Sequence, residues 1–264
     1  MVHNKMDEEI YEKITAKREF SHLIKKDVEK VWNIFEKRQV STEEKVRLTR
    51  DLLRKVFSAF TSQKLLSPKT KDEEWVLKKH LSTRERFEHY NKIYSKILRG
   101  FSGKISVIDL GAGVNGFSYK YFKQCGFSID YVAVEGVGQL ADLMNNYFKQ
   151  TKIKNAKAYH ESLFELEKIK EIIKKTKKPR VIFLFKTLDS LEMLERDYSK
   201  KLIFELKGLC DRFVVSFATK SMIKRERFKV SRNWIFSFIK ENFNIIDDME
   251  IGGERYIVFV LSKL

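Results

Sequence analysis

Residues 105–116, Ile-Ser-Val-Ile-Asp-Leu-Gly-Ala-Gly-Val-Asn-Gly, run a short apolar strand pattern through Asp109 into a turn with Gly111, Gly113 and Gly116. A strand that ends in such a turn exposes backbone amides with no side chain in the way. This constrains the surrounding chain to a Rossmann-like sheet that holds a nucleotide-like ligand at the carboxyl ends of its strands. The next apolar run, Tyr131 to Val134, closes with Glu135, about 20 residues after the turn, where a ribose diol is held. Glycine turn and Glu135 together are read here as binding S-adenosylmethionine rather than NAD. An ordinary strand-to-helix turn is the competing reading.

The rest of the chain supports an α/β architecture behind a helical start. Between residues 6 and 66, Val28, Val31, Trp32 and Phe35, then Val46, Leu52, Leu53, Val56, Phe57 and Phe60, recur at three- and four-residue steps. Ser41-Thr42-Glu43-Glu44 is a helix start with Ser41 or Thr42 as cap. Ser67-Pro68-Lys69-Thr70 is the candidate linker. A helix resumes over Asp72–His80, and another runs from Ser82 to about Leu98, ended by Gly100 and Gly103. From there Val107–Leu110, Tyr131–Val134, Val181–Phe185, Phe213–Phe217 and Ile257–Leu261 alternate with helical patterns, which predicts a mostly parallel sheet covered on both faces. Gly252-Gly253 between two strand-like runs predicts a C-terminal hairpin with an antiparallel last strand. The expected division is a helical N-terminal domain, 1–100, and a cofactor domain, 101–264.

With 264 residues, 43% of them apolar, the chain can bury a sizeable core, and no run of about 18 apolar residues spans a membrane. The N-terminus carries acids and no apolar stretch, so it does not read as a secretory signal. The two cysteines, Cys125 and Cys210, are too few for a disulfide framework or a zinc site and read as buried structural thiols in a reducing cytoplasm. No metal-ligand spacing occurs, and a monomer is the default. The net charge of +17 points to a polyanionic partner, with nucleic acid the commonest. Lys-rich, solvated helix faces account for such a charge equally simply.

Candidate chemistry sits at the strand ends. Glu161-Ser162-Leu163 follows a short strand-like stretch and could accept from an adenine amine, although a Glu before a Lys-rich helix is also ordinary. Lys186-Thr187 follows the fourth run directly, so Lys186 either faces the cofactor or starts a loop. After the fifth run come Thr219 and Lys220, and then Lys224, Arg225, Arg227 and Arg232, interleaved with Phe228 and Trp234. The cations are read as phosphate contacts to RNA; the aromatics are read as the buried stripe of a helix. The basic stretch Lys168–Arg180 is read as a solvated face. No Asn-Pro-Pro-Tyr type loop follows the fourth strand, and neither cysteine stands where it could attack a pyrimidine.

Several of these segments together resemble the aminoglycoside-resistance 16S ribosomal RNA guanine-N(7)-methyltransferases. The resemblance lies in His80-Leu81-Ser82-Thr83-Arg84-Glu85-Arg86, Asp109-Leu110-Gly111-Ala112-Gly113-Val114-Asn115-Gly116, Lys186-Thr187-Leu188-Asp189-Ser190-Leu191-Glu192 and Ser216-Phe217-Ala218-Thr219-Lys220-Ser221. These follow one another in the family's order. Gly116, Asp189 and Ala218 stand where that family has Pro, and Ser190 where it has Cys, which bears on the target base more than on the cofactor. The resemblance implies a class I S-adenosylmethionine-dependent methyltransferase sheet with an all-helical N-terminal domain. It implies that Ser82 and Arg86 lie near the methionine end of the cofactor, that Gly111, Ala112 and Gly113 pack against it and that Glu135 holds the ribose; Asp109, Asn115, Glu161, Ser162 and Leu163 complete the expected cofactor site. Lys186, Thr187, Thr219 and Lys220 would face the target nucleotide. No catalytic side chain is implied, since the guanine 7-nitrogen has a free lone pair and proximity and orientation suffice. The expected partner is 16S ribosomal RNA in the small subunit. The alternatives are a methyltransferase acting on transfer RNA or another substrate, and a non-catalytic RNA-binding or assembly protein that keeps the fold.

Overall fold

A computed structural model of the chain describes residues 6–58, 64–66, 72–219 and 232–262. The N-terminal part is helical, as its periodicity predicts: α1(Glu8–Thr15), α2(Lys25–Phe35), α3(Thr42–Leu53), α4(Glu73–Lys79), α5(Leu81–Arg86) and α6(Tyr90–Ile97). Short polar side chains cap three of these by accepting an orphan backbone N–H. Asp7 accepts from Glu9 N at 2.8 Å, Ser41 from Glu44 N at 3.2 Å and Asp72 from Trp75 N at 2.9 Å. The single helix expected from Ser82 to Leu98 is instead two, joined by a 3-10 turn over Phe87–His89. The break lets Arg86 on α5 reach the sheet while Tyr90 and Tyr94 on α6 reach the glycine turn.

The strands are β1(Lys104–Leu110), β2(Ser128–Glu135), β3(Ala156–His160), β4(Arg180–Phe185), β5(Arg212–Ala218), β6(Phe243–Ile251) and β7(Glu254–Leu261). They form a seven-stranded sheet in the order β3-β2-β1-β4-β5-β7-β6. Strands β1 to β5 are parallel, with Ile108 beside both Val132 and Ile182. The last strand inserts antiparallel between β5 and β6, with Val214 opposite Val258. Helices α7(Tyr119–Gln124), α8(Gly138–Gln150), α9(Leu166–Lys174), α10(Leu188–Leu194), α11(Tyr198–Leu206) and α12(Asn233–Asn242) connect the strands.

Alternate side chains of each strand point to opposite faces. Val107, Ala133, Phe183 and Val214 enter one core with the N-terminal helices, and Ile108, Val134, Ile182 and Val215 enter a second with α9 to α12. The N-terminal helices therefore have no separate interior: Ile14, Val28, Trp32 and Leu53 share their core with Val137 and Leu140. The chain leaves β1 for β2 on one side and returns to β4 on the other. That reversal opens a crevice above the carboxyl ends of β1, β2 and β4, the place where open α/β sheets bind ligands.

Cys125 and Cys210 are half-buried rather than fully buried, since both lie at element ends and not within a core. Among the described residues no helix is long and apolar enough to cross a membrane.

Candidate functional site

The crevice is a cleft of about 850 Å³, counted with its open mouth. Ser82, Arg86, Asp109, Gly111, Ala112, Gly113, Glu135, Leu163, Lys186 and Thr187 line it, so the structure brings together most of the residues the sequence singles out.

The glycine turn works differently from the sequence expectation. Its amides are not left open: Gly111 N and Ala112 N donate to Val134 O at 2.9 and 3.1 Å, and Gly113 N donates to Glu135 at 2.7 Å. What the turn provides is close approach. Gly111 and Gly113 sit at φ +74° and +57°, and a Cβ would fall 2.8 Å from Thr187 at the first and 2.8 Å from His80 Cε1 at the second. Gly116 completes a Gly-x-Gly-x-x-Gly spacing, yet it faces away from the cleft, packed so that a Cβ would lie 2.7 Å from Phe148. The third glycine serves the packing against α8.

Glu135 ends β2 with both carboxylate oxygens in use, accepting from Gly113 N at 2.7 Å and Val137 N at 2.9 Å. Burial holds its pKa above the ordinary carboxylate value, and these backbone N–H groups offset only part of that rise. The carboxylate keeps lone pairs for further donors.

Beneath the turn lies a buried polar network. Asp109 accepts from Asn115 Nδ2 and from Tyr131 OH, each at 2.7 Å. Asn115 Oδ1 accepts from Tyr90 OH at 2.8 Å and from Arg86 at 3.1 Å. Asn115 thus braces the floor of the cleft without lining it. Arg86 also donates to Ser82 Oγ and pairs with Glu254 on β7 at 3.2 Å. Lys186 pairs with Glu85 and, at 3.0 Å, with the same Glu254 oxygen. Burial alone would raise the pKa of Glu254, but Arg86, Lys186 and the Ser216 hydroxyl hold it below the usual value. His80, buried between these cations and the turn, has its pKa lowered to about 3 by burial, with Arg86 and Lys186 adding to the shift. Its imidazole is neutral at physiological pH.

Lys186 has a left-handed backbone, φ +56°, directly after β4. Such strain in a non-glycine residue persists only where surroundings enforce it. Here Lys186 N is held by Ser216 O at 3.1 Å and Ser216 Oγ at 3.2 Å. The side chain therefore turns into the cleft wall instead of opening a loop.

Other expected residues lie elsewhere. Glu161 does not line the cleft; it accepts from Ser162 N at 3.1 Å and pairs outward with Lys168 at 3.1 Å. Ser162 is buried behind the cleft wall, donating to Asp27 on α2. Thr187 does line the cleft, with its Oγ1 donating to Leu110 O at 3.1 Å. Thr219, at the end of β5, donates to Glu250 at 2.9 Å. Arg232 is buried, bonded to Asp189 at 2.7 and 3.2 Å and to Ala218 O at 3.0 Å, so it holds the cleft rim together rather than projecting from it. Lys220, Lys224, Arg225 and Arg227, with Phe228, lie outside the described residues. Trp234 packs partly buried against the second core, as a helix stripe would. Lys168 and Lys170 lie on the outer face of α9 in surface ion pairs.

The sequence reading missed three side chains of the site. Asp27 lines the cleft from α2, Glu254 is shared by its two buried cations, and Glu85 pairs with Lys186 as the second negative charge. Glu85 stands within a quoted motif. Asp27 and Glu254 carry no local signal.

No protein-family model matches the chain. A search of curated proteins finds the 16S rRNA (guanine(1405)-N(7))-methyltransferase of Proteus mirabilis, 24% identical over 201 residues. The match covers 72% of this chain and 64% of the length of that relative. Among solved structures, the 16S rRNA methylase RmtB superposes with a TM-score of 0.73 at 18% identity, covering 98% of this chain and all (100%) of that one. The 16S rRNA methyltransferase RmtF, solved with S-adenosyl-L-homocysteine, gives 0.75 at 16% identity with the same coverage, 98% and 100%. The 16S rRNA methylase ArmA gives 0.55 at 24% identity over 73% of this chain and 92% of its own. The fold is that of a class I methyltransferase. The likeness to RmtB and RmtF extends over the N-terminal helices as well as the sheet, so the helical part is a shared feature of the architecture and not an unrelated attachment.

Proposed function

We propose that this chain transfers a methyl group from S-adenosylmethionine to the 7-nitrogen of a guanine in 16S ribosomal RNA, acting on the small ribosomal subunit in the cytoplasm. The observation that carries the reading is the order of chemistry across the sheet. From β2 through β1 to β4 the cleft presents a carboxylate (Glu135), a close-packed backbone turn (Gly111–Gly113) and buried cations (Arg86, Lys186). That order suits a ribose diol, the body of the cofactor and its amino-acid end. The match along the length of RmtB and RmtF, and the name of the Proteus mirabilis relative, supply the substrate class.

When bound, the cofactor supplies an electrophilic methyl on a sulfonium, which departs as a neutral thioether once a nucleophile's lone pair bonds to the carbon. The residues of this chain have the task of orientation. Glu135 holds the sugar, Arg86 and Lys186 set the charge at the amino-acid end, and the cleft rim admits the nucleobase. A guanine 7-nitrogen gives up no proton before attack, so positioning alone accounts for the chemistry. The N-terminal helices, which share their core with the sheet, act as the RNA-docking part beside the cofactor cleft, with Lys220, Lys224, Arg225 and Arg227 contacting phosphates that fix register.

Calorimetric titration with S-adenosylmethionine, followed by tritium transfer from the labelled cofactor to unmodified small subunits, tests the proposal. Binding and labelled 16S RNA are expected. Label entering transfer RNA instead would move the substrate, and absence of binding would favour an assembly protein.

A further inference from the structure

We propose that Asp27, carried by the N-terminal helix α2, accepts the exocyclic amine of the cofactor's adenine, so that the helical region completes the nucleoside pocket. The inference rests on the cofactor reading above and adds the residue that recognises the base. In the sheet order β3-β2-β1-β4 the base lies beyond Glu135 on the β3 side, since the amino-acid end lies toward β4. Glu161, the acid that follows β3, is turned outward to Lys168 and leaves that end of the cleft. Asp27 lines the cleft there together with Leu163 and Phe164.

The local hydrogen bonding fixes which way Asp27 can act. Ser162 Oγ accepts from Phe164 N at 3.1 Å, so its proton goes to Asp27 Oδ1. Oδ2 is the oxygen nearer Gly136, within 3.6 Å of where a Cβ would stand on that glycine. An ionised carboxylate is acceptor-only, which matches an amine and opposes a keto oxygen at the same position. Burial raises the Asp27 carboxyl to about 6, against Ser162 and Lys30, which lower it, while Glu161 and Glu165 raise it further. The group is therefore ionised at neutral pH although it is almost wholly removed from water.

Helix α2 is positioned over the cleft by contacts unrelated to any ligand. Leu23 pairs with Val137 as an antiparallel bridge, and Gly138 N donates to His22 O at 2.9 Å. Lys26 pairs with Glu165 at 2.7 Å and Lys30 with Glu195 at 2.6 Å. These ties run from residues 22–30 to the loops after β2, β3 and α10, the loops that border the cleft.

The test is calorimetric binding of two product analogues, S-adenosylhomocysteine and S-inosylhomocysteine, which differ by the amine and a keto oxygen. The unmodified chain is expected to prefer the adenine compound by about 10- to 100-fold. Asp27→Ala is expected to bring the two affinities within about threefold. In Asp27→Asn, which preserves shape, Ser162 still donates to Oδ1 and the amide Nδ2 faces the cleft as a donor, so the preference moves toward the keto compound. A preference unchanged in both variants, or lost in Glu161→Ala and kept in the Asp27 variants, overturns the assignment. Equal binding of both compounds by the unmodified chain overturns amine recognition while leaving the cofactor reading intact. Binding of neither overturns both.

Discussion

Arg86 on α5 and Glu254 on β7 stand 168 residues apart in sequence and form an ion pair at 3.2 Å, with side chains 3% and 1% exposed. Glu254 also takes Lys186 at 3.0 Å, so two cations share one carboxylate at the cleft wall, and Glu85 beside Lys186 supplies the second negative charge. Removing one partner of a buried pair strands charge in a medium that solvates it poorly. Glu254→Gln is expected to lower the unfolding free energy by about 3–5 kcal/mol, and Arg86→Met in the same chain to recover part of that loss. Urea unfolding of the two variants measures it; a loss under about 1 kcal/mol would mean the pair is solvated in solution.

Asp27 makes stability depend on pH in an unusual direction for a carboxyl. Its folded-state pKa, about 6, exceeds its ordinary 3.8, so between these values the folded chain binds more protons than the unfolded one. The contribution of Asp27 to stability is therefore greatest below pH 4 and is lost as pH rises through 6, by roughly 3 kcal/mol in all. Lys30, Glu161, Glu165 and Tyr198 face the same group and are unchanged in Asp27→Asn. Unfolding free energies of the two chains between pH 4 and 7 should differ in slope, the variant gaining relative stability as pH rises. Parallel curves would contradict the burial of this charge.

Gly113 is held at φ +57° with His80 against it, a Cβ falling 2.8 Å from the ring. Gly113→Ala should cost about 1–3 kcal/mol in stability from backbone strain and displace His80 into the cleft. Cofactor affinity should fall with it. Retention of both in calorimetry and thermal unfolding would show that the turn relaxes without consequence.

Arg232 tests the difference between a basic residue and an RNA contact. It is bonded to Asp189 at 2.7 Å and to Ala218 O at 3.0 Å. Arg232→Ala is expected to destabilise the chain by about 1–3 kcal/mol while leaving the salt slope of subunit binding unchanged. A slope shallower by about one with unaltered stability would restore it to the phosphate-contacting set.

The features legible in the sequence were those carried by local pattern. Strand runs, the Ser41 cap, the glycine turn and Glu135 each follow from periodicity or from a turn that only certain residues allow. Asp27 lies in an ordinary amphipathic helix, 135 residues from Ser162, and nothing in one sequence reports that long-range pairing. Glu254 sits after Gly252-Gly253 and reads as a hairpin residue until β7 is seen inserted beside β5. Sequence offers only the charge of Arg232 and Glu161, whereas packing decides whether a charge reaches solvent, a cleft or an internal partner. The Gly-x-Gly-x-x-Gly spacing is likewise ambiguous alone, because Gly116 serves a contact with Phe148.

The central claim concerns one atom of one base, and its most direct measurement is strand scission. Small subunits incubated with the chain and S-adenosylmethionine are reduced with borohydride and treated with aniline, which cleaves RNA at 7-methylguanine. The account predicts one new cleavage in 16S RNA, dependent on the cofactor and absent with heat-inactivated protein. Methyl incorporation into 16S RNA with no new cleavage would contradict the assignment of the guanine 7-nitrogen.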